Sequence, residues 1–164
     1  VLTYYMSDDT IQVFEQPQRN SGIIAGKWLQ RTKLTNPDTG RPFQASDFEV
    51  GKVVTINHNK FKLEEATEFA MSFMESDPDN FPQTDLARLV VEFQNAIFQR
   101  DAEEIELFED NSTHGRMDIN GLINAYKTVG LSLSRHEAIT IMRRYHAENE
   151  PNSLSLGAFL SFAQ

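Results

Sequence analysis

The spacing of apolar residues changes near residue 64, and that change divides the chain. Before it, short runs rich in β-branched and aromatic residues alternate with turn formers: LTYYM (2–6), TIQVF (10–14), KWLQRTKL (27–34) and VVTINHNKFKL (53–63). Ser7-Asp8-Asp9 and Asn57-His58-Asn59 are turn chemistry, so two hairpins and a further strand are predicted. EQPQRNSG (15–22) reads as a loop, and TNPDTGRPF (35–43), with two Pro and one Gly, as an exposed connection. In EEATEFAMSFME (64–75), by contrast, Ala66, Phe69, Ala70 and Phe73 stand at i, i+3, i+4 and i+7, the stripe of an amphipathic helix. The simplest first domain is a small sheet closed by that helix. SDPDNFPQTD (76–85) marks a boundary, giving domains at 1–78 and 83–164 and an α+β class.

Everything after the boundary follows the helical period. Leu86, Leu89, Val90, Phe93 and Ile97 share one face, with Thr84 or Asp85 as N-cap. AEEIELF (102–108) continues the pattern into the polar stretch EDNSTHGRMDING. Leu122, Ile123, Tyr126 and Val129 then resume it, and Gly130 sits where a helix C-terminus wants glycine. SRHE (134–137) is a capping box, opening a helix with Ala138, Ile141, Met142 and Tyr145 on one face. The polar HAENEPNS (146–153) precedes a last helix carrying Leu156, Phe159, Leu160 and Phe162. Helix–loop–helix therefore occurs twice, which resembles a pair of EF-hands; the alternative is a plain four-helix bundle with polar loops.

A calcium loop takes oxygen ligands from positions 1, 3, 5, 7 and 9, glycine at 6 and a bidentate glutamate at 12. With Gly115 at position 6, Asp110, Ser112 and His114 fall at 1, 3 and 5, Met117 at 8, Asp118 at 9 and Gly121 at 12. His114 offers nitrogen to a hard cation, and Gly121 offers nothing. A shift through Glu109, Asn111 and Thr113 never recovers the last carboxylate. In the second loop, Leu154 at position 8 puts Ala147 at 1, Pro151 at 5 and Ala158 at 12. The pair is thus predicted to keep its packing and to hold no metal or other cofactor.

Composition narrows the function classes. The 164 residues include no cysteine, which excludes disulfides, thiol catalysis and cysteine zinc sites and fits a reducing compartment. The net charge is −9, made of −4 over residues 1–82 and −5 over 83–164. Neither half has the basic footprint of a nucleic-acid binder, and anionic lipid and acidic tubulin tails would be repelled. No apolar run is long enough to cross a membrane, and no signal peptide is visible. The opening Val fits a piece of a longer protein. SGIIAGKW (21–28) echoes a phosphate loop, but its spacing is one short and Trp28 replaces the magnesium-binding hydroxyl. DPDN (77–80) is explained by Asx turns. The four His read as turn or surface residues, and Arg135–His146 as a solvated charged face. No catalytic constellation emerges, so no enzyme is expected.

The string YYMSDDTIQVFEQPQRNSGIIAGKWLQR resembles the DM-ten domain, whose pattern pairs two aromatics with a DDTI hairpin, an E…P…NSGI loop and G…FL.R. Tyr4, Tyr5, Asp8, Asp9, Thr10, Ile11, Glu15, Pro17, Asn20, Ser21, Gly22, Ile23, Gly26, Leu29 and Arg31 stand in matching places, and Gly51, Phe61, Leu63 and Phe69 carry the likeness onward. Trp28 and Asn57–Asn59 depart from it. A DM-ten domain followed by a degenerate hand pair resembles the C-terminal end of the EF-hand-containing myoclonin family, whose members carry three such domains; a nucleoside-diphosphate-kinase family also carries one, but a kinase domain follows it there.

The resemblance implies a pleckstrin-homology-like first domain. It also implies a structural protein of the ciliary or flagellar axoneme, in the cytoskeleton, acting as a microtubule inner protein on the luminal face of doublet microtubules. Tubulin and neighbouring luminal proteins would be the partners, without nucleic acid or membrane. Arg41 and Phe43, in the long 35–43 loop, are the candidate partner-binding residues, while the hand pair would hold a neighbouring protein or its own chain. A calcium sensor and a lipid-binding pleckstrin-homology-like module are the competing classes.

Overall fold

The computed structural model describes residues 1–17, 19–20, 22, 25–146 and 152–164. It is an α+β chain whose contacts divide it into two compact units, Val1–Glu64 and Glu65–Gln164.

The first unit holds five strands. β1 (Leu2–Tyr5), β2 (Thr10–Glu15) and β3 (Gly26–Thr32) form an antiparallel sheet in that order, and β4 (Val53–Ile56) pairs with β5 (Asn59–Lys62) as a separate hairpin. Ile11 and Val13 leave the same side of β2 and are buried with Phe43, Phe48, Val54 and Ile56. The turn between β4 and β5 has two central residues, Asn57 and His58, both at positive φ (47° and 65°). That is the primed turn whose twist matches a two-residue hairpin, and Asn tolerates it. Arg31 fastens β3 to the first hairpin: its guanidinium lies 3.8 Å from the centre of the Tyr5 ring, its Nε donates to the Thr10 hydroxyl at 2.7 Å, and it pairs with Asp8 at 2.7 Å. The Thr10 hydroxyl and then Arg31 hold the Asp8 carboxyl below its usual range.

The 35–43 connection is exposed over most of its length, as expected, but it is not open. Asn36 N donates to Arg41 O (2.8 Å), Gly40 N to Asn36 O (2.9 Å) and Phe43 N to Leu34 O (3.0 Å), closing a tight loop. Its aromatic end turns inward. Phe43 is 2% exposed and stacks on Phe48 with ring centres 5.5 Å apart. Burying an aromatic ring is strongly favourable, so the side chain belongs to the core.

The second unit begins with α1 (Glu68–Glu75), capped by the Thr67 hydroxyl. Its inward residue is Met71, whereas Phe69, placed on the apolar stripe by spacing alone, is 81% exposed. One cation clamps α1 within the helical unit, beside the Thr84 hydroxyl bond to Met74 O and the Phe73–Phe81 ring contact. Arg143 of α5 (Arg135–Tyr145) grips Glu68 with Nη1 and Nη2 (2.5 and 2.8 Å) and Glu75 with Nε and Nη2 (2.7 and 3.2 Å). The compact units divide at 64/65, so α1, which periodicity groups with the sheet, lies in the second unit. α5 is likewise no simple solvated face, since His136 is fully buried and Arg143 is committed.

α2 (Leu86–Arg100) starts at an Asp85 N-cap and ends where Asp101 takes the left-handed conformation (φ 50°). Ala102 N then donates to Ile97 O (3.2 Å), a closure that satisfies a helix-end carbonyl. α3 (Glu104–Asp110), α4 (Ile119–Thr128), α5 and α6 (Leu156–Ala163) follow. One apolar core joins them, including Leu89, Phe93, Ile97, Phe108, Tyr126, Ile141, Phe159 and Phe162.

The clamp on α1 carries a pH signature. Hydrogen bonds from Arg143, then from Ser72, lower the Glu68 carboxyl from 4.5 to about 2. A depressed folded-state value contributes stability that is complete above the unfolded value and is lost as pH falls through the folded one. The stability advantage of the native chain over Arg143→Gln, read by urea unfolding, should therefore be constant above about pH 5 and shrink towards pH 2. An advantage independent of pH across that window would contradict the clamp.

Candidate functional site

The two helix–loop–helix motifs meet where paired calcium loops would. Met117 N donates to Leu154 O at 3.0 Å and Leu154 N to Met117 O at 2.9 Å, a two-bond antiparallel bridge between the loops at position 8 of each. Both side chains are fully buried. The pairing geometry of EF-hands is therefore present, with Gly115 at positive φ (70°) at position 6.

The ligand positions have been turned to other tasks. Asp110 is the last residue of α3, and its side chain faces solvent. The Ser112 hydroxyl reaches back towards the Glu109 carbonyl at 3.5 Å. His114 (φ 52°) and Gly115 form the centre of a tight turn closed by Thr113 N to Arg116 O (2.8 Å) and Arg116 N to Thr113 O (3.0 Å). Asp118 caps α4, its carboxylate accepting from Gly121 N at 2.7 Å. These four side chains do not converge, and among the described residues no three His, Cys, Asp or Glu could jointly hold a metal ion. In the second loop, Ala147 and Pro151 lie outside the described residues, while Ala158, at its position 12, is bound through its backbone N to the Ser155 hydroxyl at 3.2 Å.

Gly121 explains why the anchoring glutamate is missing. A Cβ built on it would overlap the carbonyl oxygen of Asn111 and press on the Met117 side chain. Asn111 is pinned there because its side-chain amide donates to Leu107 O at 2.9 Å. The end of α3 thus packs onto the first turn of α4 through space that a position-12 side chain would need.

The groove of the pair is filled by α2. Phe93 stacks on Tyr126 of α4, with ring centres 4.1 Å apart and planes within 8°, and meets Phe159 and Phe162 of α6 at 5.9 and 6.0 Å. The buried Tyr126 hydroxyl donates to the Leu89 carbonyl at 3.1 Å, and burial is the main reason its phenol is pushed above its ordinary range. Three polar side chains of α2 fix its position. Arg88 donates to Glu137, in the capping box of α5, at 2.8 Å; Gln94 donates to the Phe162 and Gln164 carbonyls at 3.1 and 2.5 Å; Arg100 reaches the Thr128 carbonyl at the end of α4 at 3.4 Å. Gly130 leaves room for Arg100, because a Cβ there would overlap the guanidinium. An amphipathic helix laid into an apolar groove is how hand pairs bind targets; here the helix belongs to the same chain.

Of the two residues proposed for partner binding from the length of the 35–43 loop, Phe43 is corrected to a core residue. Arg41 is half-exposed, but both of its terminal nitrogens bind Asp47 (2.7 and 3.2 Å). Nothing in the local sequence marks Phe43 as buried, because its partners Phe48 and Tyr4 come from other segments. The role of α2 was closer to legible: Leu89, Phe93 and Ile97 already form a stripe, but periodicity does not say which surface receives it.

Comparison with known proteins agrees with this geometry. The DM10 domain family matches residues 1–70. The "EF-hand domain-containing family member C2" of Danio rerio is 30% identical over 173 residues, covering 100% of this chain and 23% of the relative. That of Bos taurus is 30% identical over 161 residues (92% and 22%), and "EF-hand domain-containing protein 1" of Homo sapiens 32% over 130 residues (76% and 20%). The chain belongs to this EF-hand domain-containing family. Its DM10 domain lies at the N-terminal end of this chain, where the resemblance places it. DM10 and EF-hand domains are non-enzymatic kinds of domain, and the chain spans less than a quarter of the length of these relatives.

Two outcomes follow for this member of the family. Gly121→Glu should destabilise the helical unit by about 1–3 kcal/mol through overpacking and should still give no saturable micromolar calcium heat by calorimetry; calcium binding gained without loss of stability would contradict the account. Phe93→Ala should cost about 3–5 kcal/mol in urea unfolding, as expected for a buried aromatic ring, and a loss under about 1 kcal/mol would mean α2 is not seated in the groove.

Proposed function

We propose that this chain is a non-enzymatic structural element of the ciliary axoneme, a microtubule inner protein that binds the luminal face of doublet microtubules and stabilises them. The observation that carries the reading is the hand pair occupied by its own α2 and closed at position 12 by the Asn111 carbonyl. A sensor needs a groove that opens and a loop that changes with the ion. This unit has the build of a fixed body that makes contacts. Membership of the DM10 and EF-hand-containing family supports the same class.

Charge supports a luminal position. Residues 1–64 carry 8 Lys/Arg and 7 Asp/Glu, a net +1, whereas 65–164 carry 7 and 17, a net −10. The near-neutral DM10 unit would meet tubulin without strong repulsion, away from the acidic outer tails. It also lacks the excess of basic residues that binding to anionic lipid requires. With Phe43 inside, the tubulin contact would use the exposed part of the 37–42 loop.

The test is replacement of the endogenous protein by a tagged copy in a ciliated cell, followed by density mapping of isolated doublets. Density assignable to both units inside the doublet lumen, equal in calcium and in chelator, is the expected result. A tag confined to the soluble fraction, or density only on the outer surface, would overturn the proposal.

A further inference from the structure

With its inner face committed to the groove, α2 has an outer face that is also apolar. Val91 and Phe98 stand two helical turns apart, on the side opposite Leu89, Phe93 and Ile97, and are 53% and 87% exposed. Ile105, on α3 just past the break at Asp101, is 50% exposed. A lone exposed apolar residue needs no explanation, but a phenyl ring open to water with an exposed valine two turns away on the same helix face is an apolar stripe that costs solubility.

The charges beside the patch specify its occupant. DAEEIELFED (101–110) contains six carboxylates and no basic residue. Elsewhere in the helical unit six carboxylates have employment: Glu68 and Glu75 hold Arg143, Glu92 and Glu137 hold Arg88, and Asp85 and Asp118 cap helices. Among the described residues, Asp101, Glu103, Glu104, Glu106, Glu109 and Asp110 form no ion pair. They supply six of the 17 acidic residues of a unit whose net charge is −10. Six carboxylates without cations in the ten residues that begin three places after the exposed phenyl ring are unfavourable for the isolated chain and favourable for a complex with a basic partner.

We propose that the outer face of α2 and the acidic stretch through α3 form a docking surface for a basic amphipathic segment of another protein, with an apolar anchor against Phe98, Val91 and Ile105 and Lys or Arg beside residues 101–110. The aromatic residue carries the anchor energy, and the carboxylates set orientation and association rate. The calcium-independent seating of α2 keeps the surface permanently presented. This inference rests on the occupied groove and not on a location in the doublet, so it can fail while the structural reading stands.

The test uses the 164-residue chain and a fluorescein-labelled helical peptide of about 18 residues with leucine on one face and lysine on the other, read by fluorescence polarisation. Saturable binding at roughly 1–100 μM is expected. Phe98→Ser with Ile105→Ser should weaken it roughly tenfold or more, as should Glu103→Lys/Glu106→Lys/Glu109→Lys. Trp28→Ser, an exposed aromatic change in the first unit, should leave it within about twofold. All these side chains are exposed, so the variants should keep the native circular dichroism spectrum. No saturation by about 100 μM peptide, an affinity indifferent to Phe98→Ser/Ile105→Ser, equal loss with Trp28→Ser, or displacement of the peptide by millimolar calcium would each overturn the proposal.

Discussion

The helical unit depends on one stacked pair, Phe93 of α2 on Tyr126 of α4, and on the hydrogen bond that Tyr126 returns to the Leu89 carbonyl. The ring contact removes two large apolar surfaces from water. The hydroxyl makes the arrangement specific, because a buried donor must find an acceptor and the Leu89 carbonyl supplies it. Once that pair is set, Phe159 and Phe162 close around Phe93, and Arg88, Gln94 and Arg100 reach the ends of α5, α6 and α4. A hand pair whose groove is filled in this way has no apolar surface left for calcium to uncover.

The first loop tells the same story from the other end. In a working site the position-12 glutamate draws the exiting helix towards the ion. Here Asn111 occupies that approach with its backbone, and Gly121 is the one residue type that lets it. The Met117–Leu154 bridge survives because it contributes backbone hydrogen bonds and buried side chains whether or not a cation is present. The packing of an EF-hand pair is thus separable from its chemistry, and this chain has kept the former. A body of that kind suits an assembly that must hold its shape through changes in calcium.

Much of this was readable in the sequence, for physical reasons that differ by element. The strands and the capping box at Ser134 and Glu137 depend on local spacing, which a sequence displays, and the Met117–Leu154 link joins position 8 of two loops that share one template. Phe43 and Phe69 misled for one reason. An aromatic residue in a polar loop and one on an apolar stripe look exposed and buried respectively, yet tertiary partners decide. Phe43 stacks inward on Phe48, whereas α1 turns Met71 inward and leaves Phe69 outward. The compact units divide at residue 64 and not within the 76–85 segment. That shift turned two halves of similar charge into a near-neutral sheet unit and a strongly acidic helical one. The acidic run at 101–110 was visible throughout, but its freedom from ion pairs was not.

The central claim is that α2 is a permanent resident of the groove, and amide hydrogen exchange tests it most directly. The account predicts that backbone amides of residues 89–97 are protected to the same degree as those of α4 and α6, and that protection is identical in chelator and in millimolar calcium. Exchange in α2 that runs orders of magnitude faster than in α4 and α6, or that changes with calcium, would contradict it.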